Sequence, residues 1–221
     1  MLKAVIFDVD GTLVDTVDNH ARAWQETFEH FGIPTSYQDV RSQIGKGADQ
    51  LMPVFVPREE LERRGEEIDS FRSALYKRKY LREARGFHRT RALVQRILAD
   101  GKRVALASSA KGDELAVYKR AADIDDLVDA ETASEDADKS KPHPDIFQAA
   151  LDKLGIRPEE AVVVGDTPWD AEAAAKAGLP MIGVLCGGFA EADLRAAGCR
   201  EVWDDPDDLL THYGESLLGK G

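Results

Sequence analysis

The chain has 221 residues, 43% of them hydrophobic, enough for one sizeable core or a core domain with a small insert. Its 41 acidic residues against 29 basic ones give a net charge of −12 with no basic block, which argues against nucleic acid and anionic membrane surfaces as partners. Cys186 and Cys199 are too few for a disulfide framework and lack a metal-binding spacing, so two reduced thiols are expected.

Met1 runs straight into the first apolar segment without a charged-then-apolar leader, and no apolar stretch reaches the length of a membrane span. A soluble, cytoplasmic protein is expected. The run Ala4-Val-Ile-Phe7 reads as a strand buried on both faces. It stops on Asp8, and Asp10, Gly11 and Thr12 follow. A desolvated carboxylate must be paired or bound to metal, so acids at a strand's end point to a ligand crevice. One carboxylate then suits a nucleophile and the other an acid/base, with a divalent cation offsetting their charge. The alternative is a strand followed by an Asx-type turn.

From about residue 16 to 85 the texture is helical and charged. Residues 19–31 place Trp24, Phe28 and Phe31 at helical spacing, and Gly32 with Pro34 ends that helix. A second long helix is expected over 58–85, with Leu61, Ile68, Phe71 and Leu75 on its apolar face. After Arg85 the texture becomes βα repeats. Strands are expected over 103–108, 127–130, 161–166, 180–185 and 201–203, and helices over 114–122, 145–154, to 177 after the third of these strands, 190–197 and from near 206. Alternating strands and helices predict an α/β fold with a Rossmann-like, doubly wound parallel sheet. The simplest topology is an all-helical cap, 16–85, inserted after strand one over the sheet's C-terminal edge, with 1–15 and 86–221 forming the catalytic core.

Four segments fall at strand ends or just before an element. The first is Asp8-x-Asp10-Gly11-Thr12. The second is Ser108-Ser109, whose hydroxyls and backbone N–H groups can hold phosphate oxygens or simply cap the next helix. The third is Lys139-Ser-Lys141-Pro-His-Pro-Asp145, where two prolines stiffen the segment that presents Lys141, a point charge for a phosphoryl group or an aspartate. Lys139 reads as solvated. The fourth is Gly165-Asp166-Thr-Pro-Trp-Asp170. Asp166 would face the same cleft as Asp8 and complete an oxygen-rich site suited to Mg²⁺, which keeps waters and takes one or two carboxylates plus substrate phosphate. Asp170 is either second to the metal or an early-helix acid favoured by the dipole.

In this order the four segments resemble the four motifs of the haloacid dehalogenase-like superfamily, and the resemblance covers nearly the whole chain. The helical insert is similar to the cap of the subfamily that contains phosphoglycolate phosphatase and β-phosphoglucomutase. The resemblance implies that Asp8 attacks phosphorus and that Asp10 protonates the leaving oxygen, then activates water. It implies Mg²⁺ held by Asp8, the backbone carbonyl of Asp10 and Asp166, with Ser108, Ser109 and Lys141 gripping the phosphoryl group and Thr12 beside them. The dehalogenases of the superfamily use the same first aspartate on carbon without a second acid or a metal. Asp10 and Asp166 therefore favour phosphoryl chemistry.

The expected activity is a Mg²⁺-dependent phosphatase acting on a small phosphorylated metabolite, as a monomer or weak homodimer. The alternatives are a phosphomutase of the same fold and a non-enzymatic phosphometabolite-binding module. His20, within Asp15-Thr-Val-Asp-Asn-His20-Ala-Arg22-Ala-Trp24, resembles the histidine that sets the acid/base aspartate. Ile44-Gly-Lys46-Gly-Ala-Asp49 is the candidate specificity loop, Lys46 offering a cation to an anionic or polyol substrate; the alternative is a helix–helix turn with a solvated lysine. His30, His88, His143 and His212 show no metal spacing, and Trp24, Trp169 and Trp203 are expected to serve packing.

Overall fold

The computed structural model describes residues 1–220. Its centre is a six-stranded parallel sheet in the order β3-β2-β1-β4-β5-β6, where β1 is Ala4–Phe7, β2 Arg103–Ala107, β3 Ala130–Thr132, β4 Ala161–Gly165, β5 Met181–Val184 and β6 Glu201–Trp203. β1 pairs with β2 on one side and β4 on the other, Phe7 lying opposite both Leu106 and Val164. The chain winds outward in both directions from β1, so the switch of strand order lies between β1 and β4. In open α/β sheets that is where ligands bind, beyond the strands' carboxyl ends.

Both faces are covered, which explains the continuous apolar runs. Val5, Phe7, Val104, Leu106, Val162 and Val164 pack with Leu93, Val94 and Ile97 of α5 (Thr90–Ala99) and Leu115 and Tyr118 of α6 (Gly112–Ala121). The alternate residues Ala4, Ile6, Ala105, Ala107 and Val163 pack with α7 (Asp145–Leu154), α8 (Pro168–Lys176) and Leu194 of α9 (Glu191–Ala197). A last helix, α10 (Pro206–Thr211), begins at a side-chain cap in which Asp205 accepts from the N–H groups of Asp207 and Asp208.

Between β1 and α5 lies a helical segment: α1 (Val17–His30), α2 (Tyr37–Arg41), α3 (Ala48–Phe55) and α4 (Arg58–Lys79). It has its own apolar cluster, including Val17, Ala21, Trp24, Phe28, Val40, Leu51 and Ile68. Each fully buried Val, Leu, Ile or Phe among them stabilises by about 1.5–3 kcal/mol. The chain leaves and re-enters the sheet region side by side: Asp15 N–H donates to Arg85 O at 2.8 Å, and Phe87 N–H to Leu13 O at 3.0 Å.

Three expectations are corrected. The long helix ends at Lys79, is interrupted at Arg64 (φ −146°, ψ 21°), and gives way to a short 3₁₀ turn over Leu81–Glu83, because the chain must turn back toward the sheet. The second inter-strand segment is extended at Ala130–Thr132 rather than at 127–130, in register with Ala105–Ala107. The expected loop 44–49 contains the start of α3, with Ala48 and Asp49 in its first turn. Among the described residues no helix is long and apolar enough to cross a membrane, and both cysteines are free.

Candidate active site

Asp8 follows β1 and Asp166 follows β4, so the two acids stand side by side at the strand-order switch. Asp8 is 6% exposed and Asp166 wholly buried. Lys141, 1% exposed, reaches in from the segment before α7. Its Nζ lies 2.5 Å from Asp8 Oδ1 and 2.7 Å from Asp170 Oδ1, and it donates to the Ala107 carbonyl at 3.1 Å. Asp170 Oδ2 accepts from the hydroxyl (2.6 Å) and N–H (3.1 Å) of Thr167, which caps α8 in return. Carboxylate oxygens of Asp8, Asp166 and Asp170 all lie within 4.8 Å of one another.

Three carboxylates facing one ammonium leave two negative charges uncompensated when all are ionised. Burial accordingly raises Asp8 to about 7, with Lys141 opposing and Asp170 and Asp10 adding to the rise. Burial, then the charges of Asp8 and Asp170, push Asp166 well above the carboxylate range. Lys141 is raised: burial works against it, but the charges of Asp170 and Asp8 win. Thr12 Oγ1 lies 2.8 Å from Asp166 Oδ1 and 3.2 Å from Asp8 Oδ2, between the two acids. Asp166 Oδ2 is buried without any partner.

The chain crowds that oxygen with glycine: a Cβ on Gly187 would fall 1.7 Å from Asp166 Oδ2, and one on Gly11 (φ +87°) 2.4 Å from it. The donor set therefore fits a small, hard divalent cation such as Mg²⁺: oxygen-only, excess negative charge, and one buried oxygen still to be satisfied. Asp170 is engaged by Lys141 and Thr167, which leaves Asp8 and Asp166 as the side chains with capacity for the ion.

Asp10 turns away from this cluster. Its Oδ1 accepts from Thr16 Oγ1 at 2.6 Å and lies 2.9 Å from His20 Nε2. Arg72, from α4, donates through Nη2 to His20 Nδ1. A guanidinium only donates, so Nδ1 is the acceptor in that contact and Nε2 is the nitrogen that donates to Asp10. Tyr76 stacks on the imidazole at 4.1 Å, and its hydroxyl bonds that of Tyr118 at 2.6 Å. Burial alone would raise Asp10, but His20, Thr16 and Arg72 together hold its carboxyl below the usual value.

A cavity of about 60 Å³ lies between the helical segment and the sheet edge. Asp8, Asp10, His20, Lys46 and Ser109 line it. Thr12, Ser108, Lys141, Asp166 and Asp170 are buried beneath or beside it. Ser108 Oγ accepts from Ala110 N–H at 3.0 Å, fixing the turn that presents Ser109. Lys46 bonds Gln43 Oε1 at 2.6 Å and sits 3.9 Å from the Trp169 ring centre. The segment is closed onto the sheet: Arg41 donates to Gly187 O at 3.0 Å, and Ser140 N–H to Asp49 at 3.2 Å.

Sequence reasoning missed Arg72, Glu114 and Trp24 as cavity-lining residues. Trp24 packs in the insert's apolar cluster as expected and also lines the cavity, while Trp169 is corrected from simple packing, since it carries Lys46. Arg72 lies 52 residues from the histidine it touches, so no local pattern marks it. Glu114 reads like any acid in a helix's first turn, and only its burial sets it apart.

A parallel Rossmann-like sheet with buried acids after two adjacent strands, closed by a helical insert, defines a hydrolase class. The chain belongs to the haloacid dehalogenase-like hydrolases, whose family model matches residues 2–178. It is therefore an enzyme. It is 28% identical to a phosphoglycolate phosphatase of Yersinia pestis over 225 residues, covering 100% of this chain and 94% of that one. It is 26% identical to a phosphorylated carbohydrates phosphatase of Thermotoga maritima over 187 residues, 82% of this chain and 84% of that one. A solved hydrolase from Pseudomonas syringae superposes with a TM-score of 0.89 at 27% identity, covering 96% of this chain and 98% of the other.

Proposed function

We propose that this hydrolase is a Mg²⁺-dependent phosphatase that acts on a small phosphorylated metabolite through an aspartyl-phosphate on Asp8. The observation that carries the reading is the buried cluster of Asp8, Asp166 and Asp170 around Lys141, with Asp166 Oδ2 unpartnered. Residues 1–15 and 86–221 serve as the catalytic core and 16–85 as the cap.

Asp8 and Asp166, with the backbone carbonyl of Asp10, would hold Mg²⁺. When bound, the ion supplies charge neutralisation for the two carboxylates and for the phosphoryl oxygens. Lys141 keeps the Asp8 carboxylate aimed, and Asp170 keeps Lys141 in place. Ser109, with its backbone N–H, holds phosphoryl oxygens at the cavity floor. Positioning and charge compensation are what an in-line transfer between oxygens chiefly needs.

In the first step an Asp8 oxygen bonds to phosphorus while the bond from phosphorus to the leaving oxygen breaks. Asp10 gives its proton to that oxygen. In the second, water attacks the aspartyl-phosphate, Asp10 takes the water's proton, and Asp8 is released with inorganic phosphate. The Thr16 and His20 donors fix Oδ1 of Asp10, and Oδ2, which Ser108 Oγ approaches only at 3.5 Å, is the oxygen that carries the proton. They favour the ionised form suited to the second step, and an arriving phosphate dianion raises the carboxyl toward the acid form suited to the first. Because Thr16, His20 and Arg72 come from the insert and its hinge, cap closure and acid/base readiness are coupled.

The test is phosphate release across a panel of small phosphomonoesters, with Mg²⁺ and with chelator. Metal-dependent release, absent in a folded Asp8→Asn, supports the reading. Release that survives Asp8→Asn refutes the covalent route. No release, with isomerised product once a hexose bisphosphate is added, replaces the phosphatase by a phosphomutase.

A further inference from the structure

Glu114 has no part in the phosphoryl chemistry, yet it lines the cavity and is 1% exposed. Its place in the first turn of α6 suits an anion, but a carboxylate serving only the helix dipole has no need of burial. Its Oε1 has no hydrogen-bond partner. A buried acceptor without a donor, lining a cavity, marks where a donor is to arrive.

Arg72 reaches the same cavity from α4. One of its terminal nitrogens serves His20, but its Nε is buried and also unpartnered. Glu114 Oε1 and Arg72 Nε therefore do not satisfy one another. Trp24, 3% exposed, stacks 5.3 Å from the Arg72 guanidinium and gives the same region an apolar wall.

This half of the cavity thus offers one acceptor and one donor beside a carbon-compatible surface. A hydroxyl donates and accepts, and so completes both. A carboxylate would accept from Arg72 but meet a like charge at Glu114. An ammonium would suit Glu114 but face Arg72. An aryl group leaves both unpaired, the costly outcome for buried polar atoms.

We propose that Glu114 and Arg72 together read a hydroxyl on the leaving group, so that the enzyme selects polyol or sugar phosphates over phosphoesters ending in a carboxylate. The inference rests on the phosphatase reading and narrows its substrate class.

Phosphate release is measured with Mg²⁺ from glycerol 3-phosphate, 2-phosphoglycolate, phosphoethanolamine and phenyl phosphate. Wild-type kcat/KM for glycerol 3-phosphate should exceed the others by about tenfold or more, since a site built to bond a hydroxyl rejects analogues without one. In Glu114→Gln the ratio of glycerol 3-phosphate to 2-phosphoglycolate should fall by about tenfold, carried by KM rather than kcat. Circular dichroism verifies that the variant is folded. An unmoved ratio in a folded variant overturns the inference and leaves the phosphatase standing. Should the variant not fold, the wild-type ranking decides, and a preference for 2-phosphoglycolate overturns the proposal. No release from any of the four esters refutes the phosphatase reading itself, and this inference with it.

Discussion

Replacing Lys141 by methionine keeps the side chain's length and removes its charge from a position 1% exposed. Two carboxylates within 2.7 Å of Nζ, those of Asp8 and Asp170, then lose their only close cation. Breaking a buried pair by removing one partner costs about 3–5 kcal/mol, and at this chain length each kcal/mol moves Tm by about 2–4 °C, so a fall of about 6–20 °C is expected. The measurement is thermal unfolding in chelator, with Lys139→Met as the control. Lys139 is exposed and its change should stay within about 0.5 kcal/mol. The pH dependence has a definite sign. Asp8 is raised to about 7 by burial while Lys141 opposes the rise, so the variant's Asp8 sits higher still. A carboxyl with a raised folded pKa is stabilising at low pH, where it holds its proton, and loses that stability as pH rises through the folded value. The deficit should therefore be smaller near about pH 5 than near about pH 8, the Asp170 contact remaining lost at both. A drop of less than about 1 kcal/mol, or an equal deficit at both pH values, would refute the view that Lys141 compensates buried charge.

Three further outcomes follow from the site. Asp10→Asn should lower kcat by about 10²–10⁴-fold with Mg²⁺ affinity retained, and turnover near wild type would remove Asp10 from the proton transfers. Mg²⁺ at a hundredfold over its Kd should stabilise the protein by about 2.7 kcal/mol in a thermal melt, and Asp166→Asn should abolish most of that gain; an undiminished shift would place the ion elsewhere. Arg72→Met deprives His20 of the donor that fixes its tautomer and Asp10 of a charge that holds its pKa down. The alkaline limb of the kcat/KM profile should move to higher pH, since Asp10 must be protonated for leaving-group departure. An unmoved limb would mean that Arg72 acts only on binding.

The two halves of the site differ in how far the chain announces them. Asp8, Ser108 and Asp166 each close an apolar strand, and parallel strands in register bring consecutive ends to one edge, so a one-dimensional pattern carries three-dimensional proximity. Lys141 is legible because Pro142 and Pro144 follow it and stiffen its segment, although nothing local shows that Asp170 as well as Asp8 will receive it. The leaving-group half has no such regularity. Arg72 and Glu114 lie on helices from different parts of the chain, each in a charged sequence where most such residues are solvated. What distinguishes them is an angle of approach, set by how α4 packs on α1 and how the hinge at Asp15 and Phe87 folds back. The same physics separates the roles. Chemistry needs groups placed to a fraction of an ångström, which the sheet supplies through its ladder of hydrogen bonds. Selectivity needs only that the right donor and acceptor face one cavity when the insert closes, and helix packing can supply that with sequences that share little local pattern. A relative with the same strand-end acids but a different residue at the Glu114 position should therefore keep the reaction and change the leaving group it accepts, which is why the pair of unpartnered atoms in the cavity says more about substrate than the four strand-end segments do.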